Sequence, residues 1–393
     1  MKLTDATIEF IKEHVADDPS RLALQAKKYP DVDMPFVITQ IMGRKIAKDK
    51  IPSWGNTDGL IYPRHLSLEQ CSSEATAKYK SSLVKGDTLV DMTGGMGIDC
   101  AFLSANFRKA VYVERQSELC EIASLNFPLL GLSHIDVVNG DGVEYLSKVE
   151  KVDWLFIDPA RRNEQGGKVV AIADCEPNVS EISELLVSKA EKVMIKLSPM
   201  LDLSLALHDL PFAREVHVVS VNNECKELLV ILSREQGREK MQIHCVNILR
   251  NGELQTYSFE REDEQQGCDY ANQVERFLYE PNASILKAGA YKSIACNYQL
   301  RKLHPNSHLY TSDRLITDFS GRKFECEAVF SLNKKELKAN LGDMKQANIT
   351  VRNFPSSVAE LRKRLKLMDG GDTYLFATTL ADEQKVIVKC HKS

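Results

Sequence analysis

From Thr88 onward the chain alternates short, wholly apolar runs with amphipathic ones, and four consecutive apolar runs end on an acid or an acid–glycine turn. TLVDM, AVYVE, HIDVVNG, VDWLFID and KVMIKLS read as strands. Between them IDCAFLSANF, SELCEIASLNFPLLG, GVEYLSKV and VSEISELLVSKA read as helices. Strands that are apolar on both faces need cover on both faces. The strand–helix–strand rhythm supplies that cover, so the spacing predicts a parallel sheet wrapped by helices. EVHVVSVNNECKELLVILS adds two β runs around a polar turn, so one strand should run antiparallel to the others.

The flanking segments set the domain organisation. Residues 1–66 read as a helical extension, with Ile8, Ile11 and Val15, then Leu22 and Leu24, at helical spacing. The sheet domain spans 67–235 and opens with a helix over SLEQCSSEATAKYKSSL. Residues 236–278 hold a hairpin around Asn251-Gly252 and a charged linker. Two small α/β units follow at 279–322, with a helix over ASILKAGAYKSIACNYQL, and at 323–393. With 393 residues, 43% apolar and 27% charged, the composition is that of a globular protein of two or three domains.

Charge and cysteine usage narrow the partners. The net charge of -4 argues against strong polyanion affinity for the whole chain. From Arg322 to Ser393, however, 14 Lys/Arg face 9 Asp/Glu, a net of +5. That excess suits either a basic module facing an acidic partner or a solvated helix face. No pair of the ten cysteines has C-x-x-C spacing, so neither a metal site nor a redox dithiol is expected. Cys100 and Cys120 lie in apolar stretches, as small core residues do. The N-terminal residues carry no signal-like apolar core, and no run of about 18 apolar residues exists. A reduced, cytoplasmic protein away from membranes is the expectation.

The strand ends carry the chemistry. LVDMTGGMGID places Asp91 before a turn containing Gly95 and Gly97, where backbone without Cβ atoms lets a ligand come close. The third glycine of a nicotinamide fingerprint is replaced by Cys100, so that reading fails. Glu114 ends the second strand and can accept from both hydroxyls of a ribose. Asp141 and Gly142 follow the third, an acceptor for an adenine amino group beside room for a ring, or else a helix cap. Asp158 and Pro159 end the fourth in WLFIDPARR, with Arg161 and Arg162 as cations suited to phosphate. Four acids at one sheet edge point to a nucleoside cofactor.

LVDMTGGMGID, VYVERQSELCEIASLNFPLLG, VVNGDG and FIDPARR resemble the motifs of class I S-adenosylmethionine-dependent methyltransferases, over roughly Ser67 to Ser233. The resemblance implies a Rossmann-like seven-stranded sheet with S-adenosyl-L-methionine as cofactor. It implies that Asp91, Thr93, Gly95 and Gly97 cradle the methionine part, that Glu114 holds the ribose, and that Asp141 and Gly142 take the adenine. EQCSSEATAKY is similar to a segment preceding this turn in several RNA methyltransferases, where Gln70 or Ser73 would close over the cofactor. DPAR resembles the D/N-P-P-Y/F motif, which makes Asp158, Pro159 and Arg161 the catalytic segment. Ala160 and Arg161 replace its proline and aromatic, which removes the stacking platform for a flipped base. C5 methylation of a pyrimidine needs a thiolate, and neither DPARR nor KLSPMLD has a cysteine.

The segment from about Tyr279 to Cys390 resembles the ferredoxin-like and THUMP-like modules found after methyltransferase domains in a bacterial family. True THUMP domains grip RNA, so the resemblance implies RNA as partner. Arg362, Lys363, Arg364 and Lys366 in SVAELRKRLKL would then contact phosphate, while Leu361, Leu365 and Met368 form the apolar face of their helix. The sequence thus favours a methyltransferase of tRNA or rRNA acting at a heteroatom. A protein or small-molecule methyltransferase, and a non-catalytic RNA-binding protein on the same scaffold, stay open beside it.

Overall fold

The structure, a computed structural model, describes residues 5–63, 65–161, 171–234, 240–342 and 344–393. Two compact units divide the chain: residues 1–214 with 228–238, and residues 215–227 with 239–393. Besides a two-residue pair at Ala160–Arg161 and Cys175–Glu176, the strands up to residue 260 are β1 Thr88–Asp91, β2 Lys109–Glu114, β3 Ile135–Asn139, β4 Val152–Ile157, β5 Ala190–Leu197, β6 Ala213–Val221, β7 Glu224–Leu232, β8 Gln242–Ile248 and β9 Leu254–Glu260.

The first unit begins with helices at Asp5–His14, Pro19–Leu24, Met34–Lys50 and Pro52–Gly55. Asp18 and Asp33 cap two of them, accepting from the N–H of Ser20 at 2.7 Å and of Phe36 at 3.1 Å. Phe10, Leu22, Met34, Val37 and Ile41 pack into a small core. The turn-rich connector that follows is fixed by two buried amides. Gln40 exchanges hydrogen bonds with the backbone of Tyr62 (3.0 and 2.8 Å), and Asn126 does so with Ile61 (2.9 and 2.8 Å). A single helix over SLEQCSSEATAKYKSSL does not form. Helices run from His65 to Gln70 and from Glu74 to Ser82, because Ser73 turns extended and caps the second through the Thr76 N–H.

The main sheet has the predicted alternation. β1 pairs in parallel with β2 and with β4, β2 with β3, and β4 with β5. β7 pairs antiparallel to β5, Leu228 opposite Leu197. The order within this unit is β7–β5–β4–β1–β2–β3. Leu89, Val90, Leu155, Phe156 and Ile157 are all buried, each contributing about 1.5–3 kcal/mol by leaving water. The order reverses direction at β1, the switch point at which open α/β sheets bind their ligands.

In the second unit β8 pairs in parallel with β6 and antiparallel with β9, through the predicted hairpin at Asn251-Gly252. The remaining strands make one seven-stranded sheet in which Phe277–Pro281 lies antiparallel to Gly321–Phe330. Leu278, Phe324, Phe376 and Val388 centre one side of its core. The expected helix over ASILKAGAYKSIACNYQL is two helices, Ala283–Ala288 and Ser293–Tyr298. Gly289, at φ 77°, ends the first in the left-handed conformation that glycine adopts without a Cβ clash.

Candidate cofactor and catalytic site

Parallel pairing brings the carboxyl ends of β1 to β5 to one edge, and the predicted acids lie there. Asp91, last in β1, is 1% exposed. Its Oδ1 accepts from the Thr93 N–H at 3.0 Å, and its Oδ2 is buried with no hydrogen-bond partner among the described residues. Burial drives the Asp91 carboxyl well above the ordinary carboxylate range, with added push from the charges of Asp99, Asp158 and Glu114. An orphaned oxygen on a buried acid is a costly feature that a ligand's donor or cation would relieve.

The turn after Asp91 is built against its neighbours. The Gly95 N–H donates to Glu114 Oε2 at 2.8 Å, and the Gln116 N–H donates to Glu114 Oε1 at 2.8 Å. The Tyr112 hydroxyl donates to the Gly95 carbonyl at 2.5 Å. Gly95 has φ 54°, and among the described residues a Cβ there would meet only the Thr93 carbonyl, at 3.7 Å. Gly97 caps the helix Ile98–Ser104. Glu114 thus holds the turn in place, and its half-buried carboxylate keeps lone pairs for a further donor.

Asp141 caps the helix Gly142–Lys148 through the Glu144 N–H at 2.9 Å. It also pairs with Arg115, whose Nη1 reaches Glu176 at 2.7 Å. Burial opposes ionisation of Asp141, but the Glu144 N–H and Arg115 outweigh it and lower its carboxyl. A Cβ on Gly142 would lie 2.2 Å from the Met92 carbonyl, so only glycine lets this helix start against the end of β1. Arg115 is a site residue the sequence reading missed.

At the end of β4 the Asp158 N–H donates to the Thr93 hydroxyl at 2.7 Å, which joins the glycine turn to DPAR. Lys196 of β5 donates to Asp158 Oδ2 at 2.5 Å and lies 3.4 Å from Asp99 Oδ2. Lys80, fully buried, lies 3.2 Å from Asp99 Oδ1. The Ser72 hydroxyl donates to Asp99 at 2.7 Å and accepts from Lys80 at 3.2 Å and Lys196 at 3.1 Å. Two lysines and two aspartates therefore form one network behind the candidate acceptor site. None of Lys80, Lys196, Asp99 and Ser72 stood out in the sequence, though Asp99 and Lys196 are each a charge inside an apolar stretch.

The other expected residues are more dispersed. Pro159 is buried, and Ala160–Arg161 pair with Cys175–Glu176. Arg162 lies outside the described residues. Gln70 is exposed, and the Ser73 hydroxyl serves as a helix cap. The basic helix runs from Val358 to Leu365 with a Ser357–Glu360 capping box. Lys363, Arg364 and Lys366 are exposed, whereas Arg362 is partly buried and tied to Asp369 at 2.6 Å. Met368 does not join Leu361 on the apolar face as expected. Lys366 turns left-handed and ends the helix, which exposes Met368 at 63% and buries Leu367.

Glu114, Asp141 and the glycine turn can hold a ribose and a base, and Asp91 a cationic group, so the residues present fit S-adenosylmethionine. Two family models match the second unit: a ferredoxin-like domain over residues 277–319 and a THUMP domain-like model over residues 321–392. No curated protein matches the chain. Among solved structures, a protein from Porphyromonas gingivalis W83 assigned as a methyltransferase is 36% identical over 100% of both chains, with a TM-score of 0.90. An rRNA methylase from Streptococcus thermophilus is 15% identical over 41% of this chain and 95% of its own, at a TM-score of 0.30. TrmK of M. capricolum, in complex with S-adenosyl-homocysteine, is 14% identical over 41% of this chain and 68% of its own, at 0.32. Overlap as low as these last two assigns nothing to this chain. The full-length match does: the protein belongs to the family of the Porphyromonas gingivalis chain, class I methyltransferase-fold proteins with a ferredoxin-like module and a THUMP-like domain at the C-terminal end.

Proposed function

We propose that the protein is an S-adenosylmethionine-dependent methyltransferase acting on RNA, tRNA or rRNA, at a heteroatom rather than at a pyrimidine C5. The observation that carries the cofactor half is the buried Oδ2 of Asp91, unpartnered among the described residues, beside a glycine turn that Glu114 holds in place. When bound, S-adenosylmethionine supplies a methyl group that is already strongly electrophilic, so this chain's work is alignment. Asp158, fixed by Thr93 and Lys196, orients the acceptor or takes its proton. RNA as substrate is supported by the THUMP-like module, its surplus of basic residues, and the exposed Lys363, Arg364 and Lys366. Arg161 and Arg162, which follow Asp158 in the sequence, are the cations that would contact phosphate.

The test supplies methyl-labelled S-adenosylmethionine with bulk tRNA and rRNA, followed by nucleoside mass spectrometry. Label on a nitrogen or oxygen of a nucleoside is the expected result. Label confined to protein or small molecules moves the substrate elsewhere, and absence of transfer with intact cofactor binding leaves an RNA-binding scaffold.

Two results should accompany it. Glu114→Ala should weaken S-adenosylhomocysteine by about tenfold or more in calorimetry, since hydrogen bonds to a charged acceptor contribute about 1.5–3 kcal/mol. Unchanged affinity in a folded variant removes Glu114 from the cofactor site. Affinity should also depend on pH through Asp91. Its carboxyl is raised in the free protein, and a ligand cation beside it favours the carboxylate, so binding releases a proton. Affinity therefore rises with pH above the ordinary carboxylate range, by at most about tenfold per unit, and levels off once free Asp91 is ionised. A flat profile in wild type would dissociate Asp91 from the ligand.

A further inference from the structure

In the second unit, Glu215 and His217 stand two residues apart on β6 and so point to the same side. The parallel pairing of β6 and β8 sets His244 beside His217, and the antiparallel pairing of β8 and β9 sets Ser258 opposite His244. All four side chains therefore share one face. His217 Nε2 lies 2.8 Å from Glu215 Oε1, and His244 Nε2 lies 3.4 Å from the same oxygen. The ligand-type atoms of the three residues lie within 4.8 Å of one another. The two imidazoles are stacked, 4.8 Å between centroids and 24° between planes. Ser258 Oγ is 2.7 Å from His244 Nδ1, which leaves Nε2 of that ring to face Glu215.

We propose that Glu215, His217 and His244 bind a divalent first-row transition metal, with Zn²⁺ the best match, through one carboxylate oxygen and two Nε2 atoms. The donor set decides the class. Two imidazoles and a carboxylate suit zinc and its neighbours, whereas calcium and magnesium take oxygen ligands. With metal–ligand bonds of about 2.0–2.1 Å in tetrahedral geometry, ligand atoms sit about 3.3 Å apart. The 2.8 and 3.4 Å separations from Glu215 Oε1 bracket that value and the third lies within 4.8 Å, so side-chain rotations that bring the two Nε2 atoms together would close the site.

Both imidazoles turn Nε2 toward Glu215 Oε1, and a hydroxyl sits on the other nitrogen of His244, the arrangement in which an outer partner fixes the orientation of a ligating ring. His217 is buried, while the side chains of His244 and Glu215 are 29% and 39% exposed. Three protein ligands with an outward opening leave the fourth position to water or a small anion. The ion would tie β6 to β8 and so stabilise this part of the sheet. The pattern is invisible in sequence because E-x-H on one strand meets a histidine on another, with no cysteine involved.

The test uses the full-length protein, reduced and stripped with chelator. Zn²⁺ is titrated against a competing chromophoric chelator into wild type, Glu215→Gln and His244→Gln, whose folding is checked by circular dichroism. Wild type should take up one Zn²⁺ that each variant binds at least about tenfold more weakly. Zn²⁺ should raise the melting temperature of wild type and not of the variants. Co²⁺ in place of Zn²⁺ should give d–d bands without thiolate charge transfer, which separates this site from the ten cysteines. Wild type that takes up no Zn²⁺, equal uptake by wild type and both folded variants, or a thiolate spectrum overturns the assignment.

Discussion

Asp99→Asn should destabilise the first unit by about 3–5 kcal/mol at neutral pH, the cost of removing one partner from a buried charge network. Asp99 is 8% exposed, faces Lys80 at 3.2 Å and Lys196 at 3.4 Å, and Lys80 has no exposed surface at all. Asparagine keeps the shape and an acceptor for Ser72, so the loss isolates the charge. Adding Lys80→Met should recover much of the stability, because Lys196 still has Asp158 and no buried cation is left uncompensated. The pH dependence gives a second signature. Burial alone would raise the Asp99 carboxyl, but Lys80 and Lys196 overcome it and hold it down at about 2, against 3.8 for a free side chain. A depressed value in the folded state means the stabilisation is complete above 3.8 and lost as pH falls through about 2. The gap between wild type and Asp99→Asn in denaturant melts should thus be constant down to about pH 4 and shrink below it. A gap under about 1 kcal/mol at neutral pH would mean that water reaches the cluster and screens it.

The elements that could be read in advance are those whose signal is local. Apolar runs closed by Asp91, Glu114 and Asp158 located three strand ends, since a strand apolar on both faces has to be central and parallel. Ser73, Gly289 and Lys366 each end or restart a helix where periodicity alone ran on. The cause is in the backbone, an extended cap at Ser73 and left-handed turns at the other two. The charge network was illegible for a different reason. Lys80, Asp99 and Lys196 sit on three elements more than a dozen residues apart, and only the packed sheet brings them within ion-pair distance. A charge inside an apolar run, as in IDCAF and VMIKL, was the one local trace of it. Glu215, His217 and His244 share that limit, because their meeting depends on the register between β6 and β8.

Asp158→Asn should cut methyl transfer by about 10²- to 10⁴-fold, the range for loss of a positioned acid–base group, and leave S-adenosylhomocysteine affinity within a few-fold. The separation follows from where the contacts lie. The Asp158 backbone N–H, which grips the Thr93 hydroxyl and ties the glycine turn to β4, survives the substitution. Asp91 and Glu114 keep their partners in the turn. Lys196, released from the Asp158 carboxylate, still has Asp99 at 3.4 Å and Ser72 at 3.1 Å, so the first unit keeps its fold. What disappears is the negative charge at the carboxyl end of β4, where it can orient an acceptor or take its proton. Lys196→Met probes the same step from behind. It leaves the carboxylate in place but frees it from its 2.5 Å anchor, so transfer should fall less than in Asp158→Asn. Single-turnover transfer from labelled S-adenosylmethionine to bulk RNA, beside calorimetry with S-adenosylhomocysteine, reads both quantities. Turnover near wild type in Asp158→Asn would reduce Asp158 to a structural partner of Lys196, and equal losses in transfer and affinity would place it in the cofactor pocket instead.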